Sequence, residues 1–449
     1  MTIDSTLFFP SALLSFRAAN VRSFRDDLEL SLLATKMGEK RYSRSVPWQQ
    51  KGSSRGVLAV AGIFGANGSG KSNLLKAMND MRRHVLLSFR SGNPTGGMPR
   101  QPFLLDPDLR SQPSRYEVDV VVGGVRHEYG FIIDDQEVLE EWAYWYPKGR
   151  AALIFRRERD QVETGAIERQ KTRAVQEVLR PNALLLSTAA SAKHVTLLRL
   201  HQWFEQNLLF ADAHSRAWRQ ALTTKMLNND GHRQRILDLL RAADLGITDA
   251  RKHELNPVVQ ERLRRAARIL YGIEEEPDGD DEPTFEELDI RLVHRAAGGH
   301  TMELPAGDES LGTRVWFGLI GPVVQALESG SVLCTDELDA SLHPALVAEL
   351  VRLFQDPETN PQHAQLMFNS HDPTLLGNTV DDRLMGRDQV WFTEKVNEGS
   401  TRLYPLTDLE PRKQEAIGKR YLEGRYGATP ILSHHEFAAA VEPELAGSH

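Results

Sequence analysis

The chain has 449 residues, 41% of them hydrophobic and 26% charged, with a net charge of −8 and one cysteine. That apolar content suffices for two or three packed domains. One cysteine excludes a disulfide scaffold and a cysteine-built zinc site, no apolar run approaches the roughly 20 residues of a membrane helix, and the acidic balance gives no global pull toward nucleic acid.

The N-terminus lacks a basic segment followed by an apolar core, so a cytoplasmic protein is expected. Residues 12–33 pattern as paired strands and residues 34–56 as polar loop. Residues 57–64 are an apolar run of strand type. They lead into GANGSGKS at residues 65–72, which meets G-x-x-x-x-G-K-[ST] at every fixed position. Leu74, Met78, Met81 and Val85 then recur at helical spacing. Strand, glycine-rich loop and helix in that order form a phosphate cradle, because glycines let the backbone wrap the anion and the helix N–H groups point at it. The expected cofactor-binding set is Gly65, Asn67, Gly68, Gly70, Lys71, Ser72 and Asn73, with Lys71 reaching the β and γ phosphates and Ser72 ligating Mg²⁺.

Residues 115–165 are strand-rich, alternating about Gly123-Gly124 in a hairpin signature. Arg156, Arg157 and Arg159 form a basic cluster there. Residues 168–272 are mostly helical by period and lack a sustained heptad run, so long coiled-coil arms are not expected. Within them Arg262, Arg264, Arg265 and Arg268 suit either a solvated face or a local basic surface. Residues 274–283 are acidic and Pro/Gly-bearing, the composition of a mobile loop.

The second half carries the complementary chemistry. Ser310 and Gly312, in GDESLGTR, open a helix expected over residues 314–327 and offer an anion-binding N-terminus. Residues 331–335 are apolar and β-prone and end in Asp336-Glu337. Asp336 would hold the Mg²⁺ water shell and Glu337 would polarise the attacking water, since phosphoryl transfer is catalysed mainly by positioning and charge. Pro344 starts a further helix with Leu346, Leu350 and Phe354 on its buried face. Residues 366–368 form a short strand, and His371 at its end would contact the γ-phosphate and sense its loss. Residues 410–423 read as a charged helix and the tail beyond residue 433 as disordered.

The order of phosphate loop, S-x-G signature, D-E strand and switch histidine resembles the ABC-type ATPases of the SMC, RecF and OLD group. LLSFRAANVRSFRDDLELSL, at residues 13–32, is similar to their opening strands, and DELDASLHP, at residues 336–344, is closer to OLD-like and phage-defence ATPases. The resemblance covers residues 12–95 and 300–405. It implies an α/β fold: a P-loop ABC-type ATPase head with an antiparallel β-layer and a compact helical insertion. The lobes expected are 1–165, 166–285, 286–408 and 409–449. It implies ATP as the nucleotide and a homodimer or higher homo-oligomer in which Ser310 and Gly312 act in trans. It also implies a Mg²⁺-binding glutamine, for which Gln101 is the choice and Gln112 the competitor, and a nucleotide contact for Arg22, which also suits a plain surface arginine. His343 stands where SMC proteins usually have an aspartate. The C-terminal segment resembles stand-alone ATPases of the RloA and AbiL type encoded beside small nucleases, which implies an ATP-hydrolysing sensor in anti-phage defence and a separate, Toprim-like nuclease subunit. A RecF-like repair ATPase that binds DNA directly, and a nucleotide-dependent scaffold with little turnover, remain the alternatives.

Overall fold

A computed structural model describes residues 11–46, 56–147, 149–192, 194–212, 215–252, 290–377, 379, 383–396, 398–430 and 433–441. The expected arginine cluster at 262–268 and the acidic loop at 274–283 lie outside the described residues.

The chain begins with β1 (Ala12–Ala19), β2 (Leu28–Ser31), β3 (Ser43–Arg44), β4 (Val57–Leu58) and β5 (Val60–Gly65). The apolar run at 57–64 is thus two strands, and β4 pairs with β3 in a small sheet of its own. Helix α1 (Lys71–Leu87) follows, with Leu74, Met78, Met81 and Val85 all buried as their spacing requires. After the short α2 (Pro107–Arg110) come β6 (Ser114–Val122), β7 (Val125–Ile133), β8 (Val138–Trp145), β9 (Ala152–Glu158) and β10 (Gln161–Thr164). Gly123 and Gly124 take φ of 59° and 74°, the left-handed pair that a two-residue hairpin turn demands. These strands join β1 and β2 in a seven-stranded antiparallel sheet ordered β10-β9-β8-β7-β6-β1-β2.

The middle of the chain contains α3 (Arg169–Gln176), α4 (Leu185–Ser191), α5 (Val195–Gln202), β11 (Leu208–Ala211), α6 (Arg216–Leu227), α7 (Asp230–Ala242) and β12 (Ile247–Lys252). The helical expectation for 168–272 is corrected at two places. LLFA in β11 is too short and too continuously apolar to show a period, and it enters the core sheet beside a later strand. ITDARK in β12 pairs with β13 (Ile290–Arg295), which pairs in turn with β14 (Thr301–Pro305).

Then come α8 (Leu311–Ser329), β15 (Val332–Thr335), α9 (Pro344–Gln355), β16 (Gln365–Ser370), β17 (Val390–Lys395), β18 (Thr401–Pro405), α10 (Ile417–Leu422) and α11 (His434–Val441). Helix α8 starts three residues earlier than expected because the Ser310 side chain caps it, accepting from the Thr313 N–H at 3.1 Å. Within residues 410–423 only 417–422 are α-helical, and residues 434–441 form a helix where disorder was expected.

The core sheet is ordered β11-β15-β16-β5-β17-β18 and is parallel except for its last pair. Its residues alternate between two cores. Val60, Phe64, Leu333, Leu366 and Phe368 face one core with α6–α9, whereas Ala61, Ile63, Val332, Cys334 and Met367 face α1 and the antiparallel sheet. Gln365 ties the two sheets together: its amide donates to Leu13 O at 3.0 Å and accepts from the Leu13 N–H at 2.7 Å. Tyr421 and Tyr426 are buried against Phe392, so the C-terminal segment docks on the core through its rings, while Arg425 stays exposed beside Glu423. Among the described residues no helix is long and apolar enough to cross a membrane.

Candidate functional site

In a parallel sheet the carboxyl ends of adjacent strands open on one side, where loops can converge on a ligand. The register here aligns three such ends. Thr335 pairs with Phe368, which sets Asp336 beside Asn369, and Ser370 pairs with Phe64, which sets His371 beside Gly65. The phosphate loop, the D-E pair and the histidine are therefore brought together, as their order in the sequence anticipates.

The loop's shape is enforced from outside. Gly70 caps α1 with φ of 107°, a conformation side chains rarely adopt, and no side chain caps the helix. A Cβ on Gly70 would lie 2.2 Å from Thr401 Oγ1, and one on Gly65 would lie 2.4 Å from Thr393 O. Thr401 Oγ1 donates to Ser69 O at 2.9 Å and lies 2.8 Å from Ser23 Oγ, whose hydroxyl can donate to it, and Thr393 Oγ1 meets Ser69 Oγ at 2.7 Å. Four hydroxyl residues from β17, β18, the loop and the turn after β1 thus clamp the cradle. None stands out in sequence, because serine and threonine are common and the partners are hundreds of positions apart. Gly68 faces open space with φ of 74°. Asn67 is exposed at the loop tip, and Asn73 lies in the first turn of α1.

Lys71 is buried, and its ammonium donates to Gly65 O at 2.8 Å and Ala66 O at 3.0 Å, with His371 Nδ1 at 3.2 Å. Burial pulls its pKa down to about 8 against the opposing pull of Asp339, Glu337 and Asp336. Ser72 Oγ donates to Asp336 Oδ1 at 2.8 Å. Glu337 is exposed, with φ of 52°. Two residues missed in sequence join them. Asn369 is fully buried and hydrogen-bonds both Asp336 and the Glu337 N–H. Asp339 Oδ2 accepts from the His371 N–H at 3.1 Å.

The remaining candidate residues lie outside this cluster. The Arg22 guanidinium holds Asp80 through bonds of 2.6 and 2.7 Å, more than two turns along α1 from Lys71, so its principal partner is that helix. The Gln101 side chain is exposed in a shallow recess shared with Arg22, Ser23 and Asn73, and its carbonyl accepts from the Arg22 N–H at 2.6 Å. Gln112 uses its carbonyl on Asn20 and Arg100. Ser310 is exposed and serves its own helix as cap. A Cβ on Gly312 would lie 2.7 Å from Ser341 O, so the start of α8 rests on the loop after Glu337 in the same chain. His343 caps α9, accepting from the Ala345 N–H at 3.2 Å. Arg157 of the basic cluster is internal, 3.7 Å from the buried Glu141.

No curated protein matches the chain in sequence. Among solved structures it is similar to the SMC head domain from Thermotoga maritima, with 12% identity and a TM-score of 0.37 over 88% of this chain and 98% of that one. It is also similar to an SmcHead bound to the C-winged helix domain of ScpA, with 11% identity and a TM-score of 0.40 over 89% and 99%. A third is the Smc head domain with an extended coiled coil bound to the C-terminal domain of ScpA, derived from Pyrococcus furiosus, with 12% identity and a TM-score of 0.37 over 92% and 100%. A family model described as "AAA domain, putative AbiEii toxin, Type IV TA system" matches residues 60–377, from the first residue of β5 to just past His371, and the chain belongs to that AAA family.

Proposed function

We propose that the protein binds and hydrolyses ATP with Mg²⁺ and works as a nucleotide-switched regulator. The observation that carries this reading is the contact of Ser72 Oγ with Asp336 Oδ1 at the mouth of the phosphate loop. It joins a hydroxyl and a carboxylate, both hard oxygen ligands suited to Mg²⁺. The cradle also suits a polyphosphate. Helix α1 begins without a side-chain cap, its N-terminal dipole favours an anion, and Lys71 supplies a buried cation. Bound Mg²⁺ would supply charge neutralisation between the phosphates, held by Ser72 and Asp336. Gln101 is proposed as a further ligand reached only if its loop closes.

In this reading Lys71 binds the terminal phosphates, Glu337 orients the attacking water, and His371 senses the γ-phosphate through its contact with Lys71. Gly65, Asn67, Gly68, Gly70 and Asn73 shape the cradle, and Arg22 braces α1 through Asp80. Ser310 and Gly312 complete the site of a second copy, so ATP closes a dimer and hydrolysis reopens it. The exposure of Ser310 and Glu337 suits that arrangement. The biological role proposed is anti-phage defence with a separate nuclease effector, in keeping with a family description that names a toxin. The four lobes expected from sequence are retained as proposed units.

The test is light scattering of wild type and Glu337→Gln with and without ATP, each expressed with and without the neighbouring gene product. The variant should bind ATP, release no phosphate and lock into a larger assembly with its partner. Unchanged assembly in both proteins would remove the dimer switch, and unchanged phosphate release by the variant would remove Glu337 from the chemistry.

A further inference from the structure

Asn369 has no role in the reading given above, yet it contacts three of the residues that do: Ser72, Asp336 and Glu337. It lies in β16, two residues before His371, with 0% of its surface exposed. A fully buried amide must place both a donor and an acceptor. Its Nδ2 donates to Asp336 Oδ1 and lies 3.5 Å from Ser72 Oγ. Its Oδ1 accepts from the Glu337 N–H, and its backbone carbonyl accepts from the Leu338 N–H at 3.2 Å. Partner chemistry fixes the amide's orientation, since a carboxylate oxygen only accepts and a backbone N–H only donates.

The bond to Glu337 coincides with an unusual backbone. Glu337 adopts φ of 52°, the left-handed region that disfavours a long side chain and persists only where the surroundings hold it. Asn369 supplies that hold on one side while steering the neighbouring carboxylate on the other. Aspartate here would keep the acceptor and lose the donor; leucine would lose both.

We propose that Asn369 is a positioning residue that couples the carboxylate of Asp336 to the backbone of Glu337, so that the metal-binding and water-orienting groups move as one unit. The proposal rests on the ATPase reading given above. It predicts a split in the kinetics, because misplacing a reacting group by about 1 Å costs on the order of 10²-fold in rate while leaving the binding contacts in place.

The experiment measures ATP binding by a fluorescent analogue, and kcat and KM, for wild type, Asn369→Ala and Asn369→Asp. Asn369→Ala should bind nucleotide within about threefold of wild type and lose about 100-fold in kcat. Asn369→Asp is near-isosteric and keeps the packing. It keeps the acceptor for the Glu337 N–H and loses the donor to Asp336, so kcat should fall at least about 10-fold while nucleotide binding stays within about threefold of wild type, a split that a packing role would not produce. A kcat within twofold of wild type for Asn369→Ala or for Asn369→Asp overturns the proposal. If Asn369→Ala fails to fold, the kcat and nucleotide binding of Asn369→Asp decide alone. A wild-type protein without Mg²⁺-dependent phosphate release would instead refute the ATPase reading, so the two failures are distinct.

Discussion

The proton on Lys71 should couple nucleotide affinity to pH. Burial holds this ammonium at a pKa of about 8 in the free protein, from an ordinary value of 10.5. A bound polyphosphate favours the charged form and returns the pKa upward, so binding takes up a proton wherever the free lysine is neutral. With a pKa of about 8, roughly nine-tenths of Lys71 is charged at about pH 7 and one-tenth at about pH 9. ATP affinity should therefore fall about tenfold across that interval and level off below about pH 7 on the Lys71 account. Titration calorimetry at about pH 8.5, in two buffers of different ionisation enthalpy, should show uptake of roughly three-quarters of a proton per ATP, a count that needs no variant. Lys71→Arg, always charged, should lose the pH dependence even if its affinity is lower throughout. Buffer-independent enthalpies, or equal wild-type affinity at both ends of the interval, would refute the reasoning.

Three further outcomes follow from the same geometry. His84 and His127 are buried, and burial pushes each pKa from 6.5 to about 4. The unfolded state binds these protons first, so stability is intact above about pH 6.5 and is lost as pH falls toward about 4, by up to about 3 kcal/mol per histidine. His84→Leu, packed beside Tyr116 and Phe131, should flatten the acid limb of urea unfolding midpoints. Gly70→Ala should reduce ATP affinity at least about 100-fold, because a left-handed alanine is strained by about 1–3 kcal/mol and its Cβ drives Thr401 off the loop, as nucleotide titration would reveal. Gly312→Ala should leave ATP binding intact and suppress ATP-dependent assembly in light scattering, because its Cβ would displace the loop at Ser341.

Local signals in the sequence determined a good part of this protein. The phosphate loop, the buried face of α1, the Gly123-Gly124 hairpin and the D-E strand end all follow from φ requirements and periodicity that act within a few residues. They carried the α/β fold class and the order of elements around the cradle. Contacts made across the sheets were decided only by the tertiary structure. β11 was hidden because a four-residue apolar strand has no period of its own and becomes a strand by pairing with β15. Arg22 suits either the nucleotide or the surface in sequence; folding sets it against Asp80, 58 positions away. The clamp of Ser23, Ser69, Thr393 and Thr401 spans most of the chain, and Asn369 is silent until parallel register places it beside Asp336. Local propensity is encoded in neighbours along the chain, whereas a buried polar group is specified by whichever distant donor or acceptor the packing brings within reach.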